Sequence, residues 1–453
     1  MEQTKDLASR DIKSLLLSYY FPAFITVITG ALYNIIGRIF IGQGVGHEAL
    51  SGLTVVFPIM IIIMGFGMLI GIGSGIRTSI ALGRQDRPDA EKNLGNALTL
   101  LIAISVILTI SGFIIKKPLL NTFGATFETV KYANDYLDII LWGTVFGIVG
   151  YGLNSSIRAE GNAKIAMYSM LVSIGINIIL DAVFIFGMNM GVRGAALATV
   201  IAWFVLAVYV IIHFCGKKSV VQLHLKNMKP DPGTIYLIIA SGMAPFVMQI
   251  ANSIVQGVFN IQLIKYGSDI SVAAMGIINS VGTMSLMSIT GLNMAAQPII
   301  GYNFSAGNLT RVRETISLCI KYATIISISA FCLAELFPHW IILMFNNNEK
   351  LLDIGVPGMR IFMAMLPFVG FQVVTSNYFQ STGKVHLATA MTLMRQVVLL
   401  LPLLYIFPRI FGLTGVWLST PVSDGLNGIF VFYLLKQSLK EMDSLIIKES
   451  GLM

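Results

Sequence analysis

The stretch GNAKIAMYSMLVSIGINIILDAVFIF, residues 161–186, decides the fold. After a polar start it stays apolar long enough to cross a bilayer, which takes about 20 residues. Only a helix satisfies its own backbone groups there. Inside it, Asn177 and Asp181 stand one helical turn apart and share a face. A carboxylate at a span centre costs about 2.5–3.5 kcal/mol on the insertion scale, so such a residue points to function.

Working outward, the opening GNAKIAMYSM returns as GKVHLATAMT at 383–392. MGVRGAALATV (190–200) returns as FGLTGVWLSTP (411–421), LGRQDR (82–87) as SAGNLT (305–310), and Pro22 as Pro245. All four pairs have an offset near 222, so the chain is an internal repeat. Apolar stretches lie at about 15–41, 51–82, 94–116, 131–155, 163–187 and 191–216. Six more lie at about 234–264, 271–301, 315–345, 356–380, 385–410 and 413–437. The expected architecture is an all-α membrane protein of about 12 transmembrane helices in two pseudo-twofold-related six-helix bundles. Residues 1–225 form the N-terminal bundle and 226–453 the C-terminal one, with the polar linker 216–233 at the junction. Two like bundles suit a transporter with a substrate site between them.

Composition agrees. Of 453 residues, 55% are hydrophobic and only 11% charged, with mean hydropathy +0.79. That excludes a soluble enzyme and a disordered chain. The net charge of +8 reads first as topology. Lys and Arg concentrate on the side that holds both termini and the linker, so that side is cytoplasmic and nucleic acid is not an expected partner. The N-terminus MEQTKDLASRDIK is too polar for a signal peptide. Cys215, Cys319 and Cys332 are too far apart for a framework and read as buried small hydrophobes.

Asn177 and Asp181 offer hard oxygens for a sodium ion, or a carboxylate that takes a proton. Their repeat partners are Leu399 and Leu403, so packing of that helix does not require the polar pair. Glu160, in SIRAEGN, reads as an ion pair at an interface beside Arg158. Asp424, in the last span, divides evenly between facing a cavity and making polar contacts near a span end. Arg38, Arg77, Arg360 and Arg395 read as lying near span ends. Expected cavity residues are the stripe Met60, Met64 and Met68 with Gln256, Asn260, Asn279 and Gln372. Flexible thioethers and amides tolerate varied ligands. No nucleotide-binding loop, metal spacing or catalytic set is seen, so neither an enzyme nor a bound cofactor is expected.

These segments together resemble the MATE family, the multidrug and toxic compound extrusion transporters, in its bacterial form. The likeness covers essentially the whole chain. It is carried by YNIIGRIFIGQGVG (33–46), LGRQDRPDAEKN (82–93), RAEGNAKIAMYSMLVSIGINIILD (158–181) and GVRGAALATVIA (191–202). In the second half it is carried by QPIIGYNFSAGN (297–308), NYFQSTGK (377–384) and FGLTGVWLSTP (411–421). The resemblance implies an antiporter that exports organic cations in exchange for sodium ions or protons. It implies a multi-pass monomer in the lipid of a bacterial inner membrane. It further implies a coupling-cation site of Asn177, Asp181 and Thr199. The family's first-span Asp is replaced by Gly37 in Asn34-Ile35-Ile36-Gly37-Arg38, which removes a carboxylate and leaves Asn34 to supply an oxygen. The alternative is a flippase or exporter of a lipid-linked precursor or amphipathic peptide. A membrane-embedded enzyme or scaffold ranks last.

Overall fold

The computed structural model describes residues 2–122, 129–217, 219–344 and 349–449, and among these no strand occurs. Among the described residues, ten helices are long and apolar enough to cross a membrane. Glu349–Met363 and Leu366–Ser381, bent by 45°, make an eleventh span if taken together. The expected twelfth stretch is helical too, within Leu413–Glu449. It carries Ser419, Thr420, Ser423, Asp424 and Asn427, which lower its hydropathy.

Turn geometry repeats along the chain. Non-helical left-handed backbone occurs at Gly161 (φ 103°) and again at Gly383 (79°). It occurs at Gly191 (59°) and Gly412 (58°), and at Gln85 (59°) and Gly307 (80°). Each pair falls where the repeated segments end one helix and begin the next. Glycine carries no steric penalty at such φ values, so most of these positions keep it.

Contacts divide the chain into two compact units. One is Met1–Arg10 with Phe21–Phe246, the other Asp11–Tyr20 with Val247–Met453. In the first, the buried helix Val130–Ala159 packs between His47–Gly83 and Gly191–Cys215. In the second, Leu309–Leu336 packs on Asp269–Ser305 and Leu366–Ser381. Its core gathers Phe259, Met275, Ile278, Met359 and Trp417. The division falls inside the helix Pro232–Tyr266, later than the 225/226 junction expected from composition. The first turns of that helix lie against His47–Gly83 so closely that a Cβ on Gly242 would stand 1.7 Å from Leu69 O.

The linker is held along its length. Glu160 is fully buried and accepts from Ser219 Oγ (2.6 Å), Val220 N (3.0 Å) and Val221 N (3.2 Å). Its other oxygen meets Asn162 Nδ2 (2.8 Å) and His213 Nε2. The expected neighbour Arg158 turns instead to Asn154 and Ser155. A carboxylate this buried needs several donors, and the backbone of the linker supplies them. Further along, Asn96 Nδ2 donates to Asn227 O (3.2 Å), Thr99 Oγ1 to Met228 O (2.8 Å), and Asp231 N to Asn96 Oδ1 (2.8 Å). Asp231 receives Thr234 Oγ1 (2.6 Å), Thr234 N (2.9 Å) and the Lys92 ammonium (3.0 Å). Those bonds pull its carboxyl down to about 2.

Candidate functional site

In the first unit, Asn177 and Asp181 lie on the helix Ala163–Ala182 and Thr199 on Gly191–Cys215. All three are buried, at 1%, 3% and 3% exposure. Thr199 Oγ1 donates to Ala195 O (3.0 Å), leaving its lone pairs to face Asn177 Nδ2 and Tyr33 OH, each at 3.4 Å. Tyr136 is a second hydroxyl beside Thr199. Asn177 Oδ1 and Asp181 Oδ1 are buried without a hydrogen-bond donor. Buried oxygens normally find one. Two such acceptors one turn apart, with a hydroxyl oxygen opposite, are the donor set a hard cation or a proton would complete.

The helix loosens right after Asp181 into a π-turn, Val183–Gly187. Such turns recur at functional positions because they re-aim nearby side chains. This one is braced by the helix Ile12–Gly44: Phe186 meets Phe40 edge-on at 5.6 Å, and Ile185 and Phe186 lie against Gly44. Gly37, one turn before Phe40, has open space where a Cβ would stand. The side chain of Asn34 lies outside the described residues.

The second unit holds its own polar cluster. The helix after Gly383 is interrupted by a seven-residue π-segment, Met394–Leu400. It sets Arg395 Nε 2.6 Å from Asp424 Oδ1. Arg395 therefore lies mid-span in Val385–Phe411 and not near a span end. Gln372 Nε2 donates to Asp424 O (2.8 Å), and Asn427 Nδ2 donates to Gln372 Oε1 (2.5 Å). On the far side of the π-segment, Gln396 Nε2 donates to Asn252 Oδ1 (2.8 Å).

The structure thus draws together Asn177, Asp181 and Thr199, and places Gln372 in the Arg395–Asp424 cluster. Met60, Met64 and Met68 line one side of His47–Gly83. Met64 Cε reaches the packed contact of Gly147 and Trp203, while Met68 is 40% exposed. Gln256 is exposed and Asn260 half-buried, one turn later on the same helix; Asn279 is half-buried on Asp269–Ser305, where its carbonyl receives Thr283 Oγ1 (2.7 Å). Cys319 is buried, but Cys215 and Cys332 are exposed, contrary to expectation; a thiol is only weakly polar and does not require burial. Sequence reasoning missed Tyr33, Tyr136 and the Arg395–Asp424 pair. For the pair, the signal was present as a mid-span Arg in one span and a mid-span Asp in the next.

Among known proteins, the MatE family model matches residues 22–183 and again 245–406, once per repeat. The chain is 28% identical over 441 residues to the multidrug export protein MepA of Staphylococcus haemolyticus, covering 97% of both chains. It is equally similar, over 427 residues and 94% of both chains, to MepA of Staphylococcus aureus strain N315. Among solved structures, a MATE protein in its bent conformation superposes with a TM-score of 0.92 at 23% identity, over 100% of both chains. A MOP superfamily transporter from Pyrococcus furiosus superposes at 0.89 and 24% identity, over 97% of this chain and 98% of that one. Two matched halves, one fold and full-length coverage agree: the chain belongs to the MatE family of multi-pass membrane transporters.

Proposed function

We propose that this protein is a multidrug exporter, a secondary antiporter that moves organic cations out of the cell in exchange for sodium ions or protons by alternating access. The observation that carries the reading is the buried trio of Asn177, Asp181 and Thr199, with two acceptor oxygens left without donors. An unpaired carboxylate inside a span is costly unless a cation or proton neutralises it for part of the cycle. The coupling ion binds at Asp181, Asn177 Oδ1 and Thr199 Oγ1 in one conformation. The organic cation prefers the other. Each ligand then displaces the other through the conformational equilibrium, because each differs in affinity for the two states. Export by the MepA relatives supports the direction and the drug class. The excess of Lys and Arg on one side supports a bacterial cytoplasmic membrane with both termini inside.

The test is uptake of a fluorescent organic cation into proteoliposomes under a sodium or a pH gradient, applied separately. Exchange under one gradient, lost in Asp181→Asn while the protein still folds, is the expected result. Full activity of Asp181→Asn would remove the coupling site from Asp181. No movement under either gradient would remove the antiport reading.

A further inference from the structure

The helix Arg87–Thr122 carries one continuous stripe of residues at Gly95, Thr99, Ile102, Val106 and Ile110. The later part of the stripe faces the bilayer: Ile102, Val106 and Ile110 are 38%, 48% and 56% exposed. The first part lies under the linker. A Cβ on Gly95 would stand 2.3 Å from Asn227 O, and Thr99 Oγ1 donates to Met228 O (2.8 Å). Thr99 precedes Ile102 by less than one turn, about 5 Å along the axis. The short 3₁₀ turn Leu225–Met228 is therefore seated on a membrane-facing surface, at the edge of its apolar zone.

What the turn presents outward is specific. Leu225 is 86% exposed, although the backbone on both sides of it is fastened to the first unit. Lys226 and Lys229 follow it, both exposed. They are three residues apart, the spacing that stacks side chains on one side of a 3₁₀ turn. The carboxylates beside the linker are already matched: Glu91 with Arg87 (2.9 Å), with His224 close by (3.5 Å), and Asp231 with Lys92 (3.0 Å). Among the described residues, neither Lys226 nor Lys229 has an ion-pair partner. A bare leucine beside two unmatched ammonium groups, held in place at the edge of a span, has the chemistry that an anionic phospholipid completes. Its acyl chain covers the leucine and its phosphate meets the ammonium groups.

We propose that the turn Leu225–Met228, with Lys229, is a binding site for an anionic phospholipid: its phosphate on Lys226 and Lys229, and its acyl chain over Leu225 and onward along the stripe that begins at Ile102. The lipid is a resident partner of the linker and not cargo. The proposal goes beyond the exporter reading and uses none of the coupling-site residues.

Contact quenching tests it. Leu225→Trp puts a reporter on the turn of the full-length protein. The variant is placed in nanodiscs of phosphatidylglycerol and phosphatidylcholine in equal parts. Brominated acyl chains, which quench tryptophan on contact, are carried by one lipid or by the other. The wild type in the same nanodiscs gives the background of the four native tryptophans, which is subtracted. The added signal is expected to be quenched about fivefold more strongly, or better, when the bromine is on phosphatidylglycerol, since one lysine near an anionic surface is worth about that factor. Adding Lys226→Gln and Lys229→Gln should make the two readings equal and leave the melting temperature unchanged, because neither lysine holds the fold. Equal quenching by both lipids before the lysines are changed overturns the proposal. So does quenching by neither, which puts the turn clear of the bilayer, or a preference that survives loss of both lysines. Nanodiscs expose both faces, so neither the orientation of the chain nor its transport activity enters the reading.

Discussion

The two repeats share turns and helix order, yet they place polarity differently. In the first unit Asn177, one turn before Asp181, faces Thr199, and the π-turn follows at Val183–Gly187. In the second unit those two positions are Leu399 and Leu403, and the π-segment lies earlier, at Met394–Leu400. The polarity has moved about a turn up the same helix, to Arg395, and across to Asp424. Duplication supplied one scaffold, and each copy then lost helical regularity next to its own buried charge. A π-turn rotates the side chains beyond it, so small sequence changes let one scaffold present two different chemistries.

The comparison can be broken first at Asp181. Asp181→Leu gives that position the residue of its repeat partner. Gradient-driven cation uptake should fall to the level of empty liposomes while the melting temperature holds or rises, since a buried unpaired carboxylate has been removed. A single change in the second unit is not equivalent. Asp424→Ala strands Arg395 in the second unit and should cost about 3–5 kcal/mol of stability, seen as a lowered thermal midpoint. Replacing both Arg395 and Asp424 by Leu should restore most of that loss, because apolar isosteres of a buried pair pack without the desolvation cost. Equal destabilisation by single and double changes would show that the pair is structural.

Glu160→Gln tests a feature that only the first repeat has. A neutral amide cannot satisfy its five donors as the carboxylate does, and about 2–3 kcal/mol should be lost. Gly37→Asp sharpens the contrast between the units by adding a second carboxylate to the first. The open space around Gly37 accommodates it, and affinity for the coupling cation should rise about tenfold in a competition assay. The smallest effect is at Asp231. Its carboxyl is lower in the folded protein than in the unfolded chain, so its contribution is whole above about pH 4 and fades as pH falls toward 2. The fall of the thermal midpoint across that window should be slightly shallower in Asp231→Asn.

Much of this was legible in the sequence. Hydropathy located the helices because lipid leaves the backbone no other choice, and the repeat marked the turns because left-handed backbone recruits glycine. Asn177 and Asp181 stood out as polar residues in an apolar run. The second unit was harder to read. Arg395 and Asp424 lie 29 positions apart, and although each stands inside an apolar run, nothing in linear sequence pairs the two. The π-segment that brings Arg395 to Asp424 has no sequence signature at all. Glu160 misled for a similar reason: its neighbour Arg158 was the obvious partner, but the chain returns some 60 residues later with backbone amides that fit better.

Those amides belong to a stretch whose composition marks it as a hinge. Lys226 and Lys229 are exposed and ought to be easy targets for trypsin. Yet the chain around them is fastened at Ser219–Val221, at Asn227 and Met228, and at Asp231. A protease needs a run of extended backbone to bind, and here several fastenings must open together before one forms. The segment is therefore a strut of the first unit. The chain should resist cutting at this point, and lengthening or shortening the segment would disturb the first unit.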